Sequence, residues 1–145
     1  MGIGVSNKAP ANQQTPALLH RFLGIGLMLA GGALIAARHF AFGSGPPDTP
    51  TVAIVLTALA AAQAAAALML LKRLVPPRKP GQLPNQYWTD SGATGPALRF
   101  WFILEGAGVL ASVAYFLGGG PVAAAVLTIA IVAFWLNGPR AFEKE

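Results

Sequence analysis

Residues 51–71 read TVAIVLTALAAAQAAAALMLL, 21 positions without a charge, and Gln63 is the only side-chain amide among them. A helix needs about 20 predominantly apolar residues to cross the hydrocarbon core of a bilayer, with a lower limit near ~17. In lipid, every backbone N–H and C=O must be bonded within the segment, which leaves a helix as the structure for such a stretch.

The same reading extends to three more blocks. Residues 18–37 hold only His20 and Arg21 as strongly polar side chains, both at the start. Residues 97–117 hold Arg99 near the start and Glu105 inside. Residues 121–136 carry no charge, but this block is short and must borrow flanking glycines or thin the bilayer locally. Hydrophobic residues make up 54% of the chain and charged residues 10%. A soluble domain carries about 25% charged residues, too many for this chain to match. The expected fold is all-α: one membrane-embedded four-helix bundle over 1–145, made of two tandem helical hairpins. A cleaved signal peptide is the alternative for the first block. The three further spans favour a true first span.

The basic residues then orient the bundle. Lys8, Arg21, Lys72, Arg73, Arg78, Lys79, Arg99, Arg140 and Lys144 fall on one side and Arg38 alone on the other. Positive segments stay inside, so both termini and the loop 72–96 are expected on the cytoplasmic side, as in a multi-pass bacterial inner-membrane protein. The net charge of +5 is mostly this topology signal, and it also suits anionic headgroups. Its spread along membrane borders, rather than over one folded face, argues against nucleic acid.

The loop 72–96 contains Pro76, Pro77, Pro80 and Pro84, which favour an extended, stiff segment. Tyr87 and Trp88 within it, like Trp101 and Trp135 at helix borders, read as interfacial anchors, with a partner-protein contact as the other reading of the first two. The segment 1–15 is polar and flexible by composition. Gly43, Gly45, Pro46 and Pro47 forbid regular structure in the outer loop. Gly118-Gly119-Gly120-Pro121 is a tight turn that makes the last two helices antiparallel neighbours. The openings Thr15-Pro16-Ala17-Leu18 and Gly95-Pro96-Ala97-Leu98 form a faint repeat, consistent with tandem hairpins.

Small residues supply the packing. Gly24, Gly26, Ala30, Gly32 and Ala36 on the first span, and Gly106 and Gly108 on the third, let helix backbones approach closely. Such faces join helices within one chain or between chains. Their surplus reads either as association with other membrane subunits or further copies, or as a compositional bias toward Ala and Gly.

An ionisable residue inside a span is costly, which makes Glu105 the first candidate for a functional role. It lies eight residues in from Ala97, or ~12 Å at the rise of an α-helix. Gln63 lies eight residues before Leu71, and Thr128 eight before Leu136, also ~12 Å deep. Gly26 on the first span shares that level. The expectation is a polar layer of Glu105, Gln63 and Thr128 facing the bundle interior. Glu105 then serves as a hydrogen-bonded clasp or as an exchangeable ion carrier.

The run Ile103-Leu104-Glu105-Gly106-Ala107, continuing to Tyr115-Phe116-Leu117 and preceded by an Ala-rich helix bearing Gln63, resembles the hairpin of the rotor-ring c subunit of ATP synthases. The resemblance covers 51–117. It implies a carboxylate that carries protons or sodium ions, with Glu105 as carrier and Gln63 as helper. The third span also resembles that of small four-span bacterial membrane proteins. Against the rotor-ring family stand a far longer loop, alanines in place of its glycine repeat, and two extra spans.

Other chemistry finds no footing. There is no cysteine, which removes disulfides, thiol catalysis and thiolate metal sites. His20 and His39 lie 19 residues apart on one helix, about 28 Å, too far to share a metal or a haem. No HExxH, Walker A, G-x-S-x-G or dinucleotide motif occurs. Paired carboxylates for acid–base work are absent. The expectation is a non-enzyme without cofactor or metal: an accessory subunit of a membrane complex or, alternatively, a small oligomeric ion-translocating protein using Glu105.

Overall fold

The computed structural model describes residues 11–41 and 49–144, with side chains at 15–40 and 49–144. The polar segment 1–10, with Lys8, and the Gly/Pro loop 42–48 lie outside the described residues. The described chain is helical, without a strand. Helix α1 (Ala11–Ala36) continues through a π-helical turn, Ala37–Ala41. Helix α2 (Pro50–Ala66) continues through a second π turn, Ala67–Leu71, into the short α3 (Lys72–Leu74). After α4 (Pro84–Asp90) come α5 (Thr94–Gly118), α6 (Pro121–Leu136) and the short α7 (Pro139–Phe142). Proline at the first turn, where its missing N–H costs nothing, opens α2, α4, α6 and α7.

Three helical stretches, Thr15–Phe40, Pro50–Leu74 and Thr94–Gly118, are long and apolar enough to cross a membrane. The fourth apolar helix, α6, has 16 residues and is shorter. The first helix begins upstream of the expected 18, and helix occupies both ends and the middle of the expected loop 72–96.

Helix α5 is the centre of the molecule. Of its apolar stretch 44% is buried, against 22% for that of α1 and 17% for that of α2. It packs on α1, α2 and α6, whereas α1 and α2 have at most marginal contact with each other. The expected first hairpin therefore does not close on itself. Of the two expected hairpins only the second, α5 with α6, packs as a consecutive antiparallel pair; α2 packs antiparallel on α5, which lies between α1 and α2. The cause is visible in the residues of α5. Ala97, Ala107, Gly108, Ala111, Ser112 and Ala114 are all buried, so several of its faces accept a neighbouring backbone.

At the far end of α5 three of the last carbonyls find partners beyond the helix. A helix leaves its last carbonyls without intrahelical donors. Here the Tyr115 carbonyl accepts from the Gly119 N–H at 2.7 Å and the Leu117 carbonyl from the Thr49 N–H at 3.1 Å. The Phe116 carbonyl accepts from the Arg38 guanidinium. A cation at a helix C-terminus is also favoured by the helix dipole. Gly119 sits at φ +61°, a left-handed conformation that ends α5 and turns the chain into Pro121 of α6. A Cβ there would run into the Arg38 guanidinium, whereas one at Gly120 meets nothing within 4 Å.

Gly119→Ala is accordingly expected to lower stability by about 1–3 kcal/mol, from the left-handed backbone and the displaced guanidinium together. Gly120→Ala is expected to be near neutral. Thermal unfolding of the two variants in one detergent, followed by helical circular dichroism, checks the difference. Equal midpoints would contradict this account of the turn.

Candidate functional site

The level of Glu105 is built on α5 and flanked by two helices. On one side α2 brings Gln63, whose Nε2 donates to the Ile103 carbonyl at 2.9 Å. The amide reaches α5 because residue 106 is glycine: a Cβ on Gly106 would stand 2.6 Å from Gln63 Nε2. On the other side Glu105 leans toward α1. Its Oε1 lies 3.3 Å from where a Cβ on Gly26 would be. Successive helix residues point about 100° apart, so positions 105 and 106 cannot serve the same neighbour.

Gln63 and Glu105 thus share a depth but not a partner. The Gln63 amide nitrogen is spent on the α5 backbone. Glu105 is half-buried and, among the described residues, its carboxyl forms no hydrogen bond and no ion pair. Gly26 beside it is exposed. Thr128 does not join them: it is exposed, and its hydroxyl donates to the Ala124 carbonyl of its own helix at 2.9 Å. The expected three-membered layer is corrected to two separate polar contacts flanking α5. The reason is azimuthal, because equal depth says nothing about which face a residue occupies.

The small residues of α1 divide between two faces. His20, Gly24, Leu27 and Gly31 are buried, at spacings that keep them on one stripe. A Cβ on Gly24 would meet the Trp135 ring at 2.8 Å, and one on Gly31 the Ser112 hydroxyl at 3.1 Å. Leu27 fills the space left by Gly108, where a Cβ would come within 2.5 Å of it. Gly26, Gly32 and Ala36 are exposed, Ala30 is half-buried, and a Cβ on Gly32 meets nothing within 4 Å. Of the expected packing set, Gly24, Gly106 and Gly108 thus make close helix contacts inside the chain. Gly26, Gly32 and Ala36 lie on a face left open, together with the exposed Phe22, Ile25 and Leu29.

The expected interfacial anchors are corrected more sharply. Tyr87, Trp88 and Trp101 are buried, and only Trp135 is substantially exposed. The segment between α3 and α5 folds back over the basic end of the bundle. The Tyr87 hydroxyl donates to the Pro76 carbonyl at 2.8 Å. The indole of Trp88 donates to Glu143 Oε1 at 2.8 Å, and that of Trp101 to the Asn137 carbonyl at 2.8 Å. Each ring buries its apolar body because its one polar atom finds a partner. The aromatic packing runs from Tyr87 through Trp88 and Trp101 to His20, which stacks on Phe134 at 4.3 Å. Since a carbonyl only accepts, His20 Nε2 carries the proton it gives to the Phe134 oxygen at 3.0 Å. His39, in the π turn that continues α1, meets the Tyr115 hydroxyl at 3.0 Å.

Among the described residues no group of three His, Cys, Asp or Glu side chains is placed to hold a metal ion. Comparison with known protein families, with curated proteins and with solved structures finds no match.

Two outcomes test this geometry. Gly106→Val is expected to push the Gln63 amide off the Ile103 carbonyl and to cost about 1–3 kcal/mol, while Gln63→Leu in a Gly106 background costs less because no clash is made. Detergent unfolding of both separates steric from polar loss. The second concerns the folded-back segment. Burial, and then the negative charge of Glu143, hold the Tyr87 phenol above its ordinary range. A group raised in the folded state contributes stability that is complete below its unfolded value near ~10 and is lost as pH rises through the folded value. The segment should therefore loosen in strong alkali, seen as a change in tryptophan fluorescence, and Tyr87→Phe should shift or flatten that alkaline transition. An identical transition in the variant would remove Tyr87 as its cause.

Proposed function

We propose that this chain is an accessory, structural subunit of a larger membrane protein complex, seated in a bacterial inner membrane with its basic end and both termini in the cytoplasm. The observation that carries the reading is the half-buried Glu105 carboxyl beside the exposed Gly26, without a partner of its own. A carboxyl at that depth is costly in hydrocarbon unless something bonds it. A helix laid along Gly26, Gly32 and Ala36 approaches closely enough to do so. The partner implied is a transmembrane helix that brings a hydroxyl, amide or basic donor to the level of Glu105. The open apolar face on either side, with Phe22, Ile25 and Leu29, supports the same docking.

The test is the mass of the chain solubilised from its native membranes in mild detergent. A particle well above the 14.9 kDa chain, with another protein in it, is expected. Glu105→Leu should weaken that association by about 5- to 30-fold, the equivalent of one interhelical hydrogen bond of ~1–2 kcal/mol. A chain that runs alone as a monomer under these conditions refutes the proposal.

A second reading, an ion or proton carrier working as an oligomer, rests on the same unpartnered carboxyl and on the resemblance of 51–117 to the rotor-ring hairpin. It differs in outcome: reconstituted liposomes would show an ion or proton flux abolished by Glu105→Gln. Flux unchanged by the substitution, or absent from the unaltered chain, ends it.

A further inference from the structure

At the basic end, a pocket of ≈ 440 Å³ opens between the start of α1 and the segment joining α6 to the end of the chain. Its lining includes Arg21 from α1, and Arg140 and Lys144 from the other side. Among the described residues none of these three has a hydrogen bond or an ion pair. Among the described acids Glu143 is the nearest in sequence, and it is engaged elsewhere. Its carboxylate accepts from the Trp88 indole and its backbone carbonyl from Arg78. Among the described residues, three cations without a counter-charge thus line one concavity. Gly138 lets this segment come close to α1, since a Cβ there would stand 3.2 Å from the His20 ring.

The chemistry of the lining narrows the ligand. A guanidinium presents a planar fork that matches two phosphate oxygens, and a lysine adds a point charge. The lining also carries apolar surface from Trp135 and Leu136 of α6, and Leu136 is 71% exposed. Cationic and apolar surface therefore meet at the end of two apolar helices, the level at which headgroups lie and where basic pockets between helices take anionic lipids. His20 is not a ligand here, because its Nε2 proton is already given to the Phe134 carbonyl.

We propose that this pocket binds the phosphate group of an anionic phospholipid, with Arg21, Arg140 and Lys144 around the phosphate and Leu136 and Trp135 along the first carbons of an acyl chain. The shared chemistry with a free phosphate ion is tested directly. The full-length chain, purified in a neutral detergent, is titrated with phosphatidylglycerol, with phosphatidylcholine and with inorganic phosphate, and bound lipid is counted by native mass spectrometry alongside the unfolding midpoint. Phosphatidylglycerol is expected to bind and raise the midpoint, and the other two to do neither.

Each cation near an anionic headgroup is worth about 5-fold, so Arg21→Gln with Arg140→Gln should weaken phosphatidylglycerol binding by about 30-fold. Lys72→Gln with Arg73→Gln removes the same charge from the end of α2, outside the pocket, and should leave binding unchanged. Arg21→Lys with Arg140→Lys keeps the charge and loses the fork, and should retain part of the affinity; it also serves if the glutamine variant fails to fold. Equal protection by inorganic phosphate would assign the pocket to a soluble anion instead of a lipid. Equal binding of phosphatidylglycerol and phosphatidylcholine by the unaltered chain, or equal losses from both glutamine pairs, overturns the site.

Discussion

Close approach to α5 is the constraint on which the rest of this structure depends. Between apolar helices in lipid there is no hydrophobic gain from burial, since acyl chains solvate leucine as well as another leucine does. Association rests on van der Waals contact, which falls off steeply once atoms separate. The chain meets this by withholding side chains at the contact. On α5, Gly106 admits Gln63 of α2 and Gly108 admits Leu27 of α1, while on α1 Gly24 admits the rings of α6. Larger residues at those positions would separate the helices and forfeit the contacts. One helix therefore serves three neighbours, and the two outer helices α1 and α2 are held by α5 instead of by each other.

At both ends the structure resolves the problem of unpaired backbone groups by reaching across the chain. Arg38, Thr49 and Gly119 take up three of the last carbonyls of α5, so Arg38 after α1 and Thr49 before α2 are both fastened to the helix between them. At the basic end the fastening uses indole, phenol and imidazole donors on carbonyls and on one carboxylate. These long-range bonds, more than helix propensity, define which helix ends meet.

Much of this was legible in the sequence, and what was not has a common cause. The uncharged run of α2, the prolines that open helices and the glycine turn before Pro121 are local signals, and each marks its element. Depth is also local, because it is a count of residues along one axis, and Gln63 and Glu105 do lie at one level of α5. Azimuth is not local. Which face of α1 is inward depends on where α5 lies, so Gly31 packs while Gly32 is open, and Thr128 turns outward. Tyr87 and Trp88 misled for a similar reason. An aromatic residue with one polar atom suits a membrane border and a buried site equally, and only the acceptors it meets, the Pro76 carbonyl and the Glu143 carboxylate, decide between them. The pairing of Arg21 with Arg140 and Lys144 across more than a hundred residues left no mark in the sequence at all.

The brevity of α6 has a consequence for any bilayer around it. Its 16 residues span ~24 Å, less than the ~30 Å of a hydrocarbon core, while α5 beside it has 25 residues. The two start level at the glycine turn, so α6 runs out where Asn137 receives the Trp101 indole, well inside the length of α5. The volume below is filled by α7 and the folded-back aromatic segment. The greasy belt of the molecule is thus lopsided, tall along α2 and α5 and low along α6. In a bilayer, lipid would dip on one flank only, and such one-sided thinning costs a fraction of a kcal/mol for every ångström. That cost gives the molecule a preferred heading among its neighbours, since it falls whenever an equally short flank, or a thinner patch of membrane, lies against α6.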